Sequence, residues 1–455
     1  MRALFIANIF FPDPPGGTEV GILALAKALQ QSGIESIVVA PHYKGDRETR
    51  DHYIWDGVPV WRYRVSPAAA EAGAVDQEDS EQSQQFEGLM KRIRPDVVSL
   101  HAWTSRVGVN QVVGARRLGI PIVLTCHLAY ITCLRGSGMR WGKAPCDLEM
   151  RPYRCPACIL QLKGLPRPLA RIGALLPSFN SNQGKIRPSN WLFRGIRLPG
   201  KLRLLQVNRR RLWTQIDRFV AQSRWMEPAL LLNGIPKDKI CIAPACLYHS
   251  SPTSAKLTAP RNRRDGRLLV GFLGRFGRAK GIDLLVQATQ RLPRDLPLEV
   301  HIHGVVQGEE EASCRLEVLE LAKGDPRIRI LDPLPADEVL RNVAQWDVLA
   351  IPSRVQEMRP QVILEAFSVG VPVIGSKCGG IPDLVKHECD GLLVAPDSVD
   401  DLANALWRLY SEPDLLERLR LGVPDVPSTE VLAEFMLQVY QSVIPQSSKK
   451  SMPAQ

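Results

Sequence analysis

The chain has 455 residues, 45% hydrophobic and 23% charged, with 58 Lys+Arg against 47 Asp+Glu and a formal net charge of +11. That length favours two or three domains, and the apolar fraction excludes wholesale disorder. No apolar stretch of about eighteen residues escapes a charge or a Pro/Gly break, so no membrane-spanning helix is expected.

In chain order, Met1-Arg2 precede an apolar run at 3–7. Pro12, Pro14, Pro15, Gly16 and Gly17 follow with no small-residue cleavage pattern, so the run reads as the first buried strand of a cytoplasmic protein and not a signal peptide. The segment Phe11-Pro-Asp-Pro-Pro-Gly-Gly-Thr-Glu19 then enters a helix with Ile22, Leu25, Ala26 and Leu29 on one face. Further apolar runs lie at 37–40, 97–100, 122–125 and 219–221, and after residue 267 at 268–273, 298–302, 348–351, 371–374 and 392–394. Short apolar runs separated by helical patterns are what parallel sheets buried on both faces look like. The expected architecture is α/β, two doubly wound halves. Residues 1–249 form the first domain with an insertion at 128–211, 250–267 a linker rich in Ser, Pro, Lys and Arg, and 268–428 the second domain. A helix is expected within 429–445, a mobile loop at 67–85 and a disordered tail at 446–455.

Two histidines, His101 and His127, each end a buried strand of the first half. Four of the ten cysteines, Cys133, Cys146, Cys155 and Cys158, fall within 26 residues in the spacing C-x12-C-x8-C-x2-C. The closing Cys-Pro-Ala-Cys is a good half-site for tetrahedral zinc, and in a reducing compartment a disulfide knot is the poorer explanation, with free thiols the alternative. The stretch 159–211 carries twelve Lys/Arg and no Asp or Glu, more than the whole net charge, so the rest of the chain is close to neutral. Within it Leu165, Leu169, Ile172 and Leu176 fall at helical spacing beside Arg167 and Arg171. That pattern suits a helix on an anionic membrane surface, and equally a solvated basic face. For nucleic acid there is charge alone, with no reading motif or stacking array, so none is expected.

In the second half, Gly271-Phe-Leu-Gly-Arg-Phe-Gly-Arg-Ala-Lys-Gly281 leaves a strand, turns on glycines and enters a helix. Helix N-termini bind phosphate, and Arg275 and Lys280 add full charges. The segment Pro352-Ser-Arg-Val-Gln-Glu-Met-Arg-Pro-Gln-Val-Ile-Leu-Glu-Ala-Phe367 sets Glu357 in a loop at a strand's end and Glu365 inside a helix begun after Pro360. Such loops bind ligands in open α/β sheets, and a carboxylate there can accept two sugar hydroxyls. Gly370-Val-Pro-Val-Ile-Gly-Ser-Lys-Cys-Gly379-Gly380 gives another strand and a glycine turn that admits close backbone approach.

Taken together, these segments and Asp390-Gly-Leu-Leu-Val-Ala-Pro396 resemble the retaining glycosyltransferases of family 4, which have the GT-B fold of two Rossmann-like domains facing a cleft. The resemblance implies that Arg275 and Lys280 hold the donor's diphosphate, Glu365 its ribose and Glu357 the transferred sugar, with Gly379 and Gly380 at the donor. It also implies that Gly17 lets backbone reach the donor phosphates, that His127 lies beside sugar and acceptor, and that the last helix crosses back to the first domain. The expected reaction moves a sugar from a UDP- or GDP-linked donor to a glycan or lipid-linked acceptor with no catalytic metal required, since no Asp-x-Asp pair follows a strand. Met358-Arg359 stand where the family has Gly-Phe or Gly-Tyr, and Leu128 where it often has Asp. The first departure sustains a rival reading, a catalytically silent GT-B scaffold carrying a structural zinc. A sugar-nucleotide epimerase shares the architecture, but its motif set is not seen.

Overall fold

The structure, a computed structural model, describes residues 1–42, 51–65, 80–104, 106–127, 129–176, 191–248 and 266–445. The chain divides into two compact units, one of Met1–Pro244 with Thr429–Gln455, the other of Ala245–Ser428.

The first unit is built on an eight-stranded sheet. Its strands are β1 (Arg2–Ile6), β2 (Glu35–Pro41), β3 (His52–Trp55), β4 (Val58–Tyr63), β5 (Val97–Leu100), β6 (Ile122–Cys126), β9 (Arg218–Ala221) and β10 (Ile240–Ile242), in the order β10-β9-β6-β5-β1-β2-β4-β3. All pairs are parallel except β3 with β4. The remaining two strands, β7 (Met139–Arg140) and β8 (Ala144–Pro145), form a separate small hairpin. Strands β1, β5 and β6 are buried almost throughout, because helices α1 (Gly17–Gln31), α2 (Ser80–Ile93) and α3 (Val109–Arg117) intervene in the chain and cover the faces. The basic insertion folds as α4 (Arg154–Leu162), α5 (Arg167–Ala174) and α6 (Trp191–Trp213). Of the loop expected at 67–85, residues from Ser80 onward are helical, since Phe86 and Met90 bury their side chains. Residues 67–79 lie outside the described residues, as do most of the expected linker and the tail at 446–455.

The second unit has six parallel strands, β11 (Leu268–Arg275), β12 (Leu298–Val305), β13 (Ile328–Leu331), β14 (Val348–Ile351), β15 (Val373–Ser376) and β16 (Gly391–Val394), ordered β13-β12-β11-β14-β15-β16. Apolar clusters lie on the two faces, one around Leu285, Ile302 and Leu406, the other around Trp346, Phe367 and Val373. In both sheets the strand order reverses beside the first strand, at β5-β1-β2 and at β12-β11-β14. Ligands of open α/β sheets bind at such reversals, outside the carboxyl ends of the strands. The helix spanning Thr429–Val443 buries Leu432, Ala433, Met436, Val439 and Tyr440, packs on α1 and belongs to the first unit.

Candidate functional site

In the second unit the β11 and β14 loops meet at the strand-order reversal. After β11 the chain makes a tight turn at Arg278–Lys280 and enters helix α7 (Ile282–Arg291) at Gly281, whose φ is 69°. A Cβ at Gly281 would lie 2.0 Å from the Pro352 carbonyl oxygen, so the two loops can approach this closely only at glycine. Arg354 pins the turn. Its N–H donates to the Ala279 carbonyl at 2.8 Å, and its guanidinium donates to the Arg278 carbonyl at 3.0 Å and to both Asp283 oxygens at 2.5 and 2.7 Å.

On this base Lys280 Nζ donates to Glu357 Oε1 at 2.7 Å, and Ser353 Oγ donates to the same oxygen at 3.0 Å. The Gly379-Gly380 turn presses on the Glu357 backbone. Gly379 has φ 58°, a Cβ on it would come within 2.5 Å of the Glu357 N and O, and the Gly380 N–H donates to the Glu357 carbonyl at 2.7 Å. Lys280, Glu357, Gly379 and Gly380 are thus brought together, with the lysine's ammonium partly neutralised by one carboxylate.

Arg275 ends β11 as an exposed side chain, its guanidinium 3.8 Å from Glu311. Glu365, in helix α8 (Gln361–Ser368), is buried, and desolvation pushes its carboxyl up to about 7. Met358 is buried, and Arg359 is hydrogen-bonded to Tyr248, whose phenol burial pushes up to about 12. The two residues that depart from the family pattern therefore have packing roles within their own unit.

In the first unit, the loop after β1 is held by Arg62 of β4, a charged side chain with 5% exposure. Its guanidinium donates to Asp13 Oδ2 at 2.8 Å and to the carbonyls of Phe10, Phe11 and Pro41 at 2.6, 2.9 and 3.0 Å. Tyr53 OH also donates to the Phe11 carbonyl. The loop ends in α1, where the Gly16 N–H donates to Glu19 Oε2 at 2.8 Å and burial raises the Glu19 carboxyl. Gly17 opens the helix with clear space where a Cβ would stand.

His101 and His127 follow β5 and β6, and their rings meet, His101 Nδ1 lying 2.9 Å from His127 Nε2. His101 Nε2 lies 2.9 Å from Ser99 Oγ, which accepts a 2.8 Å bond from Tyr440 OH of the 429–443 helix. His101 is fully buried, so desolvation, then its neighbour His127, holds it well below the usual histidine range and it is neutral. The pair lines a cavity of about 130 Å³ with Glu19, Trp103, Thr125 and Tyr130. Among the described residues Thr125 Oγ1 is buried with no hydrogen-bond partner, so this wall holds a polar atom for an incoming hydroxyl to meet.

The sequence marks His101 and His127 as strand-end histidines but carries no signal for Ser99, Tyr440, Thr125 or Arg354. Arg62 left one signal, a charge inside the strand run Val-Pro-Val-Trp-Arg-Tyr.

Cys133, Cys146, Cys155 and Cys158 line one small cavity of about 30 Å³. Among the described residues, however, no group of three or more His, Cys, Asp or Glu side chains is placed to hold a metal ion. Three of the sulfurs make contacts outside the cluster: Cys146 Sγ donates to Asp147 at 3.6 Å, Cys155 Sγ accepts the Arg151 N–H at 3.3 Å, and Cys158 Sγ accepts the Trp141 N–H at 3.4 Å. Burial raises the Cys146 thiol and pushes Cys155 up to about 11. The donor set has the right chemistry and lines one cavity, but among the described residues no three of its members are placed to hold the expected structural zinc.

Comparison with known proteins agrees with the two units. A Glycosyl transferase 4-like domain matches residues 16–246, half the chain, and Glycosyl transferases group 1 matches 254–421. The D-inositol 3-phosphate glycosyltransferase of Corynebacterium urealyticum is 35% identical over 184 residues, 38% of this chain and 43% of that protein. The protein of the same name from Pseudarthrobacter chlorophenolicus is 32% identical over 219 residues, 46% and 51% of the two chains. The aligned region thus spans about half the length of these curated relatives. Among solved structures, the sucrose-phosphate synthase of Thermosynechococcus elongatus superposes with a TM-score of 0.64 at 19% identity, covering 97% of this chain and 98% of that one. HepE of Anabaena in complex with UDP and glucose gives 0.63 at 16%, covering 97% and 100%. The reversals of strand order, the glycine-built loops and these matches agree: the chain belongs to the group 1, family 4 glycosyltransferases and has their α/β GT-B fold.

Proposed function

We propose that the chain transfers a glycosyl group, with retention of anomeric configuration, from a nucleoside diphosphate sugar bound by the second unit to a glycan or lipid-linked acceptor bound by the first. The Lys280–Glu357 pair at the β11/β14 reversal carries the reading. Leaving-group departure concentrates negative charge on the diphosphate, and preorganised donors there stabilise the transition state. Lys280 has three N–H donors, and giving one to Glu357 holds its stem in place for a phosphate. Arg275 and the N-terminus of α7 add to the positive field, Glu357 meets the sugar, and Glu365 takes the ribose hydroxyls.

His127 and Thr125 receive the acceptor hydroxyl in the first unit's cavity. The reading calls on no catalytic metal and belongs with a cytoplasmic location. A UDP-linked donor is preferred to a GDP-linked one because solved neighbours include HepE in complex with UDP-glucose. The packing of Met358 and Arg359 accounts for the departure that suggested a silent scaffold.

Thermal unfolding with UDP-, GDP- and ADP-sugars tests the reading, since a ligand at 100 times its dissociation constant stabilises by about 2.7 kcal/mol. One nucleotide class should raise the midpoint in wild type and fail to do so in Lys280→Ala. A chain indifferent to all three would return the silent scaffold to first place.

A further inference from the structure

Helix α5 is built inside out. It turns its small residues, Ala170 and Ala174, onto Ala157 and Leu160 of α4, with Trp141 and Leu198 closing the contact. Its large apolar side chains stay outside: Leu169 is 56% exposed, Ile172 63%, and Leu175, just past its end, 64%. Leu162 and Leu165 before the helix are exposed as well. A helix of a water-soluble domain ordinarily buries the large residues and leaves the small ones outside, because stabilisation follows the apolar area removed from water. Scattered exposed leucines need no explanation, but a row of them on one short helix does.

The charges beside this row have one sign. Arg167 and Arg171 flank the exposed leucines, each guanidinium 5.8 Å from the Trp141 ring. Arg203 of α6 donates to the Ala174 carbonyl at 2.9 Å and to the Leu176 carbonyl, tying the end of α5 to α6. Helix α6 in turn exposes Leu204 and Val207. From 159 to 211 the sequence has twelve Lys/Arg and no acidic residue.

We propose that α5, with the adjoining face of α6, docks the chain on the surface of an anionic lipid bilayer. The leucines and Ile172 enter the headgroup boundary while the arginines stay at phosphate level. Charge complementarity selects this occupant: arginines and no acidic residue flank the apolar row, which matches acidic headgroups, whereas a protein partner commonly presents charges of both signs. With eight residues, α5 is only about 12 Å long, so it lies in the surface. No helix of the described residues is long and apolar enough to cross a membrane. The inference deepens the lipid-linked acceptor reading, since it would bring the first unit to a substrate held in the membrane.

Its test is vesicle flotation of the full chain without donor, so the result stands apart from turnover. The chain should float with vesicles of phosphatidylcholine containing about one third phosphatidylglycerol and not with phosphatidylcholine alone. Raising salt from about 0.1 to 0.5 M should weaken the association severalfold. Leu169→Ser with Ile172→Ser, both at exposed positions that leave the core untouched, should weaken it at least about tenfold, and Arg167→Gln with Arg171→Gln should remove the preference for anionic lipid. No flotation with anionic vesicles would overturn the proposal, as would flotation unchanged by the serine pair. Light scattering that shows a dimer lost in the serine pair, without vesicle binding, would overturn it in favour of a second copy of the chain. Failure of flotation alongside an intact nucleotide-sugar response would leave glycosyl transfer standing.

Discussion

The two units carry candidate sites at equivalent places, each outside the carboxyl ends of the strands where the sheet order reverses, yet they are assembled differently. The second unit's site is a set of ionic loops drawn from short sequence motifs: Lys280 meets Glu357 across two neighbouring strands, and glycines at 281 and 379 permit the contact. The first unit's site is a hydrogen-bonded chain at a buried cavity, reaching from Tyr440 to His127 through Ser99 and a neutral His101. Charge gathered at one site suits a diphosphate, whereas a chain of hydroxyls and imidazoles at the other suits hydroxyls.

The sharpest way to break this contrast is to remove Arg62, the buried cation of β4 that holds the first unit's loop. Arg62→Met strips Asp13 of its ion-pair partner and takes a donor from three carbonyls, of which Phe11 keeps the Tyr53 hydroxyl and Phe10 the Asp13 N–H. Leaving a buried charge unpaired costs about 3–5 kcal/mol, so urea unfolding should show a loss of that size. A loss under about 1 kcal/mol would mean that water reaches Asp13 and the loop is not held as described.

Lys280→Ala probes the opposite site and should have the opposite signature. The side chain is partly exposed, so the unfolding midpoint should change little, while kcat/KM for the donor should fall on the order of 10²–10³-fold, the usual cost of one transition-state donor. If stability collapsed and activity per folded molecule held, the lysine would be a structural ion-pair partner and the assignment of charge to the second unit would fail.

Glu365 sharpens the comparison through pH. Its carboxyl sits near 7 in the native state, above the ordinary glutamate value of about 4.3, so the native chain holds a proton that the unfolded chain releases. That contribution is fully present below the unfolded value and is lost as pH rises through about 7, on the order of 3 kcal/mol in all. Glu365→Gln does not titrate, so the difference in unfolding free energy between pH 5 and pH 8 should shrink. Donor affinity should rise in wild type as pH passes about 7, because the ionised carboxylate accepts ribose hydroxyls better, and Glu365→Gln should show no such rise. A pH-independent wild-type affinity would remove Glu365 from the ribose.

The same contrast explains what could be read from the sequence. Lys280, Glu357 and the Gly379-Gly380 turn were legible because each sits at the end of an apolar run, and the parallel α/β pattern brings those ends to one edge of a sheet. Strands β3 and β10 escaped notice because they are short and part-exposed at the sheet's edges, and β4 because Arg62 interrupts its apolar pattern. The four cysteines have the spacing of ligands, but turns and helix give Cys146, Cys155 and Cys158 backbone or carboxylate neighbours of their own, which spacing cannot reveal. Tyr440 was the least legible of all. It lies 341 residues from Ser99 and reads as one more apolar position of an amphipathic helix.

Tyr440 therefore supplies the finest test. Its hydroxyl donates to Ser99 Oγ, and burial pushes the phenol well above its ordinary value, so the proton stays on the oxygen. Ser99 can then give its own proton to His101 Nε2. With Nε2 accepting, the neutral His101 would carry its proton on Nδ1 and donate it to His127 Nε2, and that arrangement would place the proton of His127 on Nδ1. Tyr440→Phe removes the first donor without opening a cavity and leaves Ser99 free to turn. Loss of one buried hydrogen bond should cost about 1 kcal/mol in stability, with kcat falling severalfold and the donor KM unchanged, since the proposed donor site lies in the other unit. Ser99→Ala should give a similar fall in kcat, and the double variant should be little worse than either, because both cut one chain. Fully additive losses would show two independent packing defects, and the tyrosine would have no part in setting His127.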